Sequence, residues 1–163
     1  NMKSVQLYRP VGLHELELIA QSGYREFPPR LEEQPFFYPV LTFEYAEWII
    51  TNWNVNESVA NFGGAITKVG VWVDFIKKYE VRIAGGITLQ ELWIPSEELN
   101  EFNEHIVGRI GIAAAYYGKE FAGTKVECDD TISRERSELY MEPNEFAKNE
   151  EQYQKWLEKH RNN

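Results

Sequence analysis

The chain has 163 residues, 43% of them hydrophobic and 14% aromatic, enough for one ordered domain with a substantial core. A net charge of -9 and a pI near 4.9 argue against nucleic acid as a partner, since phosphate backbones are bound by basic surfaces. One cysteine, Cys128, excludes an internal disulfide and a zinc site built from cysteines.

No apolar run approaches the ~20 residues that a membrane span requires. The opening Asn-Met-Lys-Ser has no signal-peptide apolar segment, so the expectation is a cytoplasmic protein. No internal repeat or long linker divides residues 1–163, which are expected to form a single domain.

Residues 4–9 read as a first strand ended by Pro10, with Gly12 opening a turn. Leu13, Leu16, Ile19 and Ala20 have helical spacing, and Gly23 is placed to cap that helix. Residues 24–35 read as a loop, because Pro28, Pro29 and Pro35 forbid regular pairing. Arg25 and Arg30 lie in it. They are either solvated ion-pairing residues beside Glu26, Glu32 and Glu33, or arginines that a loop offers to phosphate.

Residues 36–41 predict a buried strand, and Thr42 predicts the N-cap of a helix presenting Ala46, Ile49, Ile50 and Trp53 on one face. Residues 52–61 read as loop. Strands are predicted over 65–73 and 79–84, the second turning back through Gly85-Gly86 into 87–94. Ser96 is expected to cap a helix that buries Leu99, Phe102 and Ile106 and closes at Gly108. Residues 109–117 read as a strand, 118–142 as an irregular connection, and Pro143 as the first residue of a terminal helix. Two early helices followed by strands joined largely as hairpins indicate an α+β fold, with mostly antiparallel sheets and flanking helices.

Standard motifs for phosphate, dinucleotide and serine-hydrolase sites are missing, and His14, His105 and His160 lack metal-ligand spacing, so no metal is expected. Two charged residues fall within strands. Glu91 lies in the otherwise apolar run Leu-Gln-Glu-Leu-Trp-Ile-Pro, and Arg9 ends the first strand. In one reading both are structural: Arg9 bonds a backbone carbonyl, and Glu91 faces solvent. In the other they share a cleft. Arg9 then holds a phosphate or ribose, and Glu91 stabilises positive charge at an anomeric carbon, as N-glycosidic cleavage requires. Tyr8, Phe37 and Tyr38 would supply an aromatic wall for a flat ring.

Three segments carry a family resemblance. Leu7-Tyr8-Arg9 with the helix ending at Gly23, Phe36-Phe37-Tyr38-Pro39-Val40-Leu41-Thr42 with its helix, and Gln90-Glu91-Leu92-Trp93-Ile94-Pro95 resemble successive parts of the ADP-ribosyltransferase fold. The chain also resembles bacterial hypothetical proteins labelled "ADP-ribosylation/crystallin J1". The resemblance spans residues 7–112. It implies NAD as substrate, a nucleotide-binding site and a possible protein acceptor, with Glu91 catalytic and Arg9 and Tyr38 binding the nucleotide; Tyr8 is a further nucleotide-binding candidate from the aromatic wall alone. Two features depart from the family pattern: Leu89 occupies the place of its second acid or amide, and Thr42 is the nearest hydroxyl to its serine motif. A non-catalytic member of the same fold, binding a ligand or a protein, is the alternative.

Overall fold

The strand Gly63–Trp72 runs through the centre of the protein, and its neighbours explain most of the architecture. The computed structural model describes residues 3–57, 60–83, 89–123 and 133–135. In chain order these form β1 (Ser4–Gly12), α1 (Leu13–Gln21), β2 (Phe36–Phe37), α2 (Phe43–Asn52), β3 (Gly63–Trp72), α3 (Val73–Ile76), β4 (Val81–Ile83), β5 (Gln90–Leu92), β6 (Ile94–Pro95), α4 (Leu99–Glu104), β7 (Ile106–Tyr117) and β8 (Ser133–Glu135). Short 3-10 turns lie at Asn54–Asn56 and Ser96–Glu98. The main sheet has the order β1-β3-β7-β8, with only the β7–β8 pair parallel. Two small antiparallel pairs, β2–β6 and β4–β5, stand beside it. The architecture is α+β with antiparallel pairing dominant.

Alternation along β3 divides the core. Ala65, Val69 and Val71 pack with Leu7, Val11, Leu16, Ile19 and Phe102 on one face. Ile66 packs on the other face with Ala46, Ile50, Ala114 and Tyr116. One face is therefore covered by α1 and α4, and the opposite one by α2.

Helix α1 covers the residues whose apolar spacing predicted it, 13–20. Its end is a complete Schellman motif: the Gly23 N–H donates to the Ala20 carbonyl (2.9 Å) and the Tyr24 N–H to the Ile19 carbonyl (3.0 Å). Gly23 has φ +75°, the left-handed conformation that glycine adopts without penalty. Thr42 caps α2 as expected, its hydroxyl accepting from the Tyr45 N–H at 3.2 Å.

Several boundaries differ from expectation for identifiable reasons. Pro10 does not end β1, which continues to Gly12. The Tyr8 N–H points away from β3, donating to the Val40 carbonyl at 2.9 Å. Two residues on, the N–H that proline lacks would face that same outer edge, so the β1–β3 ladder loses nothing. Residues 36–41 do not form one strand, because Pro39 interrupts it. Only Phe36–Phe37 pair with Ile94–Pro95, while Val40 makes isolated bridges to Tyr8 and Glu91.

Strand β3 starts two residues earlier than predicted and ends at Trp72, where α3 follows. The predicted 79–84 and 87–94 strands shorten to β4 and to β5 with β6. Their pairing is antiparallel, and the Gly85-Gly86 turn lies outside the described residues.

Helix α4 is preceded by a 3-10 turn in which Ser96 makes no capping bond. It ends at Glu104, so Ile106 and Gly108 belong to β7. Gly108, at φ +75°, sits where the β3–β7 register slips between Lys68 and Gly70. It is a bulge residue rather than a helix cap. Cys128, His160 and the helix predicted from Pro143 lie outside the described residues.

Candidate functional site

The C-terminal half of β1 borders a cavity of about 720 Å³, within the ~300–1,000 Å³ range of small-molecule sites. The end of β1 and the start of α1 supply Arg9, Gly12, His14 and Glu15; the 24–35 loop supplies Arg30 and Gln34. Helix α2 presents Ile49, with Trp53 just after it. The segment between β2 and α2 contributes Tyr38 and Val40, and Glu91 and Trp93 come from β5 and the residue after it. A Cβ on Gly12 would lie 2.8 Å from that of Ala60, so glycine is what allows this wall to close.

Arg9 faces inward with Leu7 and Val11 and is 7% exposed. Its guanidinium makes a two-pronged pair with Glu15, Nε to Oε2 at 3.0 Å and Nη2 to Oε1 at 3.1 Å. Glu15 stands in the first turn of α1, where the positive end of the helix dipole also favours an anion. Nη1 donates to the Tyr38 carbonyl at 3.4 Å, and the fork lies 4.6 Å from the Phe37 ring centroid. The Thr67 hydroxyl, fully buried, donates to the Arg9 carbonyl at 2.7 Å across the β1–β3 ladder.

Glu91 is half-buried, and both its oxygens are held by neutral donors. Trp93 Nε1 donates to Oε1 at 3.1 Å, and the Tyr45 hydroxyl donates to Oε2 at 3.3 Å. Among the described residues no cation forms an ion pair with it. Arg82 is its register partner across β4–β5, but its guanidinium stacks over the Trp93 ring, 4.5 Å from the centroid.

Tyr38 joins the two sides. Its carbonyl receives Arg9, and its ring meets Trp93 edge-on at 5.7 Å. Phe36 packs on both rings. Arg30 donates from Nε to the Phe36 carbonyl at 3.0 Å. Burial and then the neighbouring charge of Arg9 push its pKa below the ordinary arginine value.

Arg9, Tyr38 and Glu91 thus line one cavity. Tyr8 does not join them: it points to the other face of β1, where its ring meets Phe43 edge-on at 6.1 Å. Phe37 lies beneath Arg9 in the core, where it is buried against Phe27 and Phe102, rather than on the cavity wall. His14 is exposed and reaches the cavity rim.

Glu15, Tyr45 and Trp93 escaped the site reading of the sequence. Glu15 carried a usable signal, as an acid in the first turn of a helix that begins just after the arginine's strand. Tyr45 carried none, because its hydroxyl reaches Glu91 from 46 residues away.

Among the described residues no group of three or more His, Cys, Asp or Glu side chains is placed to hold a metal ion, and no helix is long and apolar enough to cross a membrane. No family model, curated protein or solved structure matches the chain.

Proposed function

We propose that this cavity binds NAD or a related nucleotide, and that the chain acts on it as an ADP-ribosyltransferase-like transferase or glycohydrolase. The observation that carries the reading is Glu91. It is a carboxylate without an ion-pair partner among the described residues, fixed by Tyr45 and Trp93 at the wall of a cavity that also holds Tyr38 and two arginines. A negative charge oriented by neutral donors keeps its field available for charge that develops on a bound substrate.

In the proposed reaction the bond between the ribose anomeric carbon and the nicotinamide nitrogen breaks. The bonding pair leaves with nicotinamide, which departs neutral. Glu91 accepts a hydrogen bond from a ribose hydroxyl and stabilises the oxocarbenium-like sugar. Water or an acceptor nucleophile then bonds to the anomeric carbon and releases its proton. The Tyr38 and Trp93 rings offer the face and edge against which a flat ring rests.

The side chain two residues before Glu91 favours water over an arginine acceptor. Leu89 is buried and apolar, so no acid or amide stands there to orient a guanidinium. That same feature supports the second reading, a binding protein of this fold without turnover. Calorimetry with NAD, ADP-ribose and nicotinamide, run beside an assay for released nicotinamide, separates the two. Glu91→Gln is expected to lower turnover by about 10² or more while NAD still binds. NAD consumption unchanged in that variant removes the catalytic reading.

A further inference from the structure

We infer that the anion-binding residue of this cavity is Arg30, and that its terminal guanidinium nitrogens take the phosphate oxygens of the ligand. The inference rests on the nucleotide reading above and deepens it by moving the phosphate contact from the first strand to the 24–35 loop.

The donors of the two cavity arginines are spent differently. Arg9 has three nitrogens on protein oxygens: two reach Glu15 and one reaches Tyr38. An incoming phosphate would have to displace Glu15 from a nearly buried pair, at the cost of leaving that carboxylate without its partner. Arg30 spends only Nε, on the Phe36 carbonyl. That bond fixes the plane of the fork and leaves both terminal nitrogens without a protein partner among the described residues. They belong to a side chain lining the cavity. A planar fork with two free, parallel donors matches two oxygens of one phosphate.

Electrostatics point the same way. Partial burial and the charge of Arg9 both disfavour the Arg30 cation, and Glu15, which favours it, is already engaged. An anion bound at Arg30 would relieve that opposition without disturbing the Arg9–Glu15 pair. A chain of contacts leads from this cation to the Glu91 carboxylate: Arg30 bonds the Phe36 carbonyl, the Phe36 ring packs on Tyr38 and Trp93, and Trp93 donates to Glu91. The ligand class that fits is a phosphate or pyrophosphate ester of a ring-bearing nucleoside, with the phosphate toward the loop and the sugar toward Glu91.

Titration calorimetry with inorganic pyrophosphate, ADP-ribose and adenosine tests this on the full chain and on R30Q, R30K and R25Q. Arg25 is exposed on the same loop and away from the cavity lining, so it controls for a general charge effect. R30Q should weaken pyrophosphate and ADP-ribose at least tenfold. R30K, which keeps the charge without the fork, should fall between R30Q and the wild type. R25Q should match the wild type, and adenosine should bind all four proteins alike. Melting curves establish that each variant folds, and R30K carries the test if R30Q does not.

ADP-ribose binding that is equal in wild type, R30Q and R30K overturns the inference and leaves the nucleotide reading standing. Equal losses in R25Q and R30Q also overturn it. Arg30-dependent pyrophosphate binding without nucleotide binding keeps the anion site and removes the nucleotide reading. A wild type that binds none of the three ligands removes both.

Discussion

Arg9 and Glu91 are both charged, both lie on strands and both border one cavity, yet their surroundings are opposite. Arg9 is nearly enclosed, paired through two nitrogens with Glu15, and laid over Phe37. Glu91 is half-exposed and held by a phenol and an indole, neither of which cancels its charge. A charge met by its counter-charge is neutralised, and it contributes mainly to holding chain segments together. A charge met only by dipoles is oriented but still projects a field. Geometry within one pocket therefore assigns the two residues different work. The arginine ties β1 to α1 and to the Tyr38 segment, and the glutamate carries the charge on which the proposed reaction depends.

The largest effect that would break this contrast is on stability. Glu15→Ala leaves the Arg9 cation enclosed without a partner, and the expected loss is about 3 kcal/mol or more, read from the denaturant midpoint. Replacing both residues, Arg9→Met with Glu15→Leu, should recover most of that loss, because a hydrophobic pair of similar size avoids the desolvation cost. If Glu15→Ala is as stable as the parent, Arg9 is not a structural tie and its fork is open to ligand.

Glu91→Gln should act the other way round. The indole N–H can still meet the amide oxygen and the phenol oxygen can accept from the amide nitrogen, so the midpoint should move by less than about 1 kcal/mol, while nicotinamide release falls by about 10². Trp93→Phe sharpens the point. It keeps an aromatic ring beside Tyr38 but removes the donor to Oε1, and the expected loss of kcat is about tenfold with NAD affinity little changed. A large loss of affinity in place of kcat would move Trp93 from orienting the carboxylate to binding the ring.

Features with local causes were the legible ones. The apolar spacing and Gly23 define α1, and Thr42 marks the start of α2, because caps are specified within a few residues. Glu91 stood out because a single acid in an apolar run needs a reason. The Arg9–Glu15 pair spans only six residues, but nothing local says that strand and helix fold back to bring the two side chains together. Pro10 and Gly108 misled for a shared reason. Each is a breaker in isolation, and only the sheet reveals that the missing N–H of Pro10 faces an edge and that Gly108 sits in a bulge. Tyr8 illustrates the two-residue period of a strand: one step along β1 from Arg9 takes a side chain to the opposite face. Arg30 was visible as a loop arginine, but its free donors could be counted only after the Phe36 carbonyl was located.

The smallest expected effect concerns Thr42, the hydroxyl nearest to where the resemblance would put a serine motif and a helix cap by geometry. Its hydroxyl accepts from the Tyr45 N–H, so the same residue that starts α2 also sets the position of the phenol that holds Glu91. Thr42→Ala should cost about 1 kcal/mol of stability, and Thr42→Ser should restore it, because any short oxygen-bearing side chain can make the bond. NAD affinity should be unchanged in both, with at most a small fall in kcat as the start of α2 frays and Tyr45 loosens. An affinity loss in Thr42→Ala beyond what the stability change explains would show the hydroxyl acting on the ligand itself. The acidic side of the cavity would then hold two direct contacts, Thr42 and Glu91, and the contrast with the paired Arg9 side would widen.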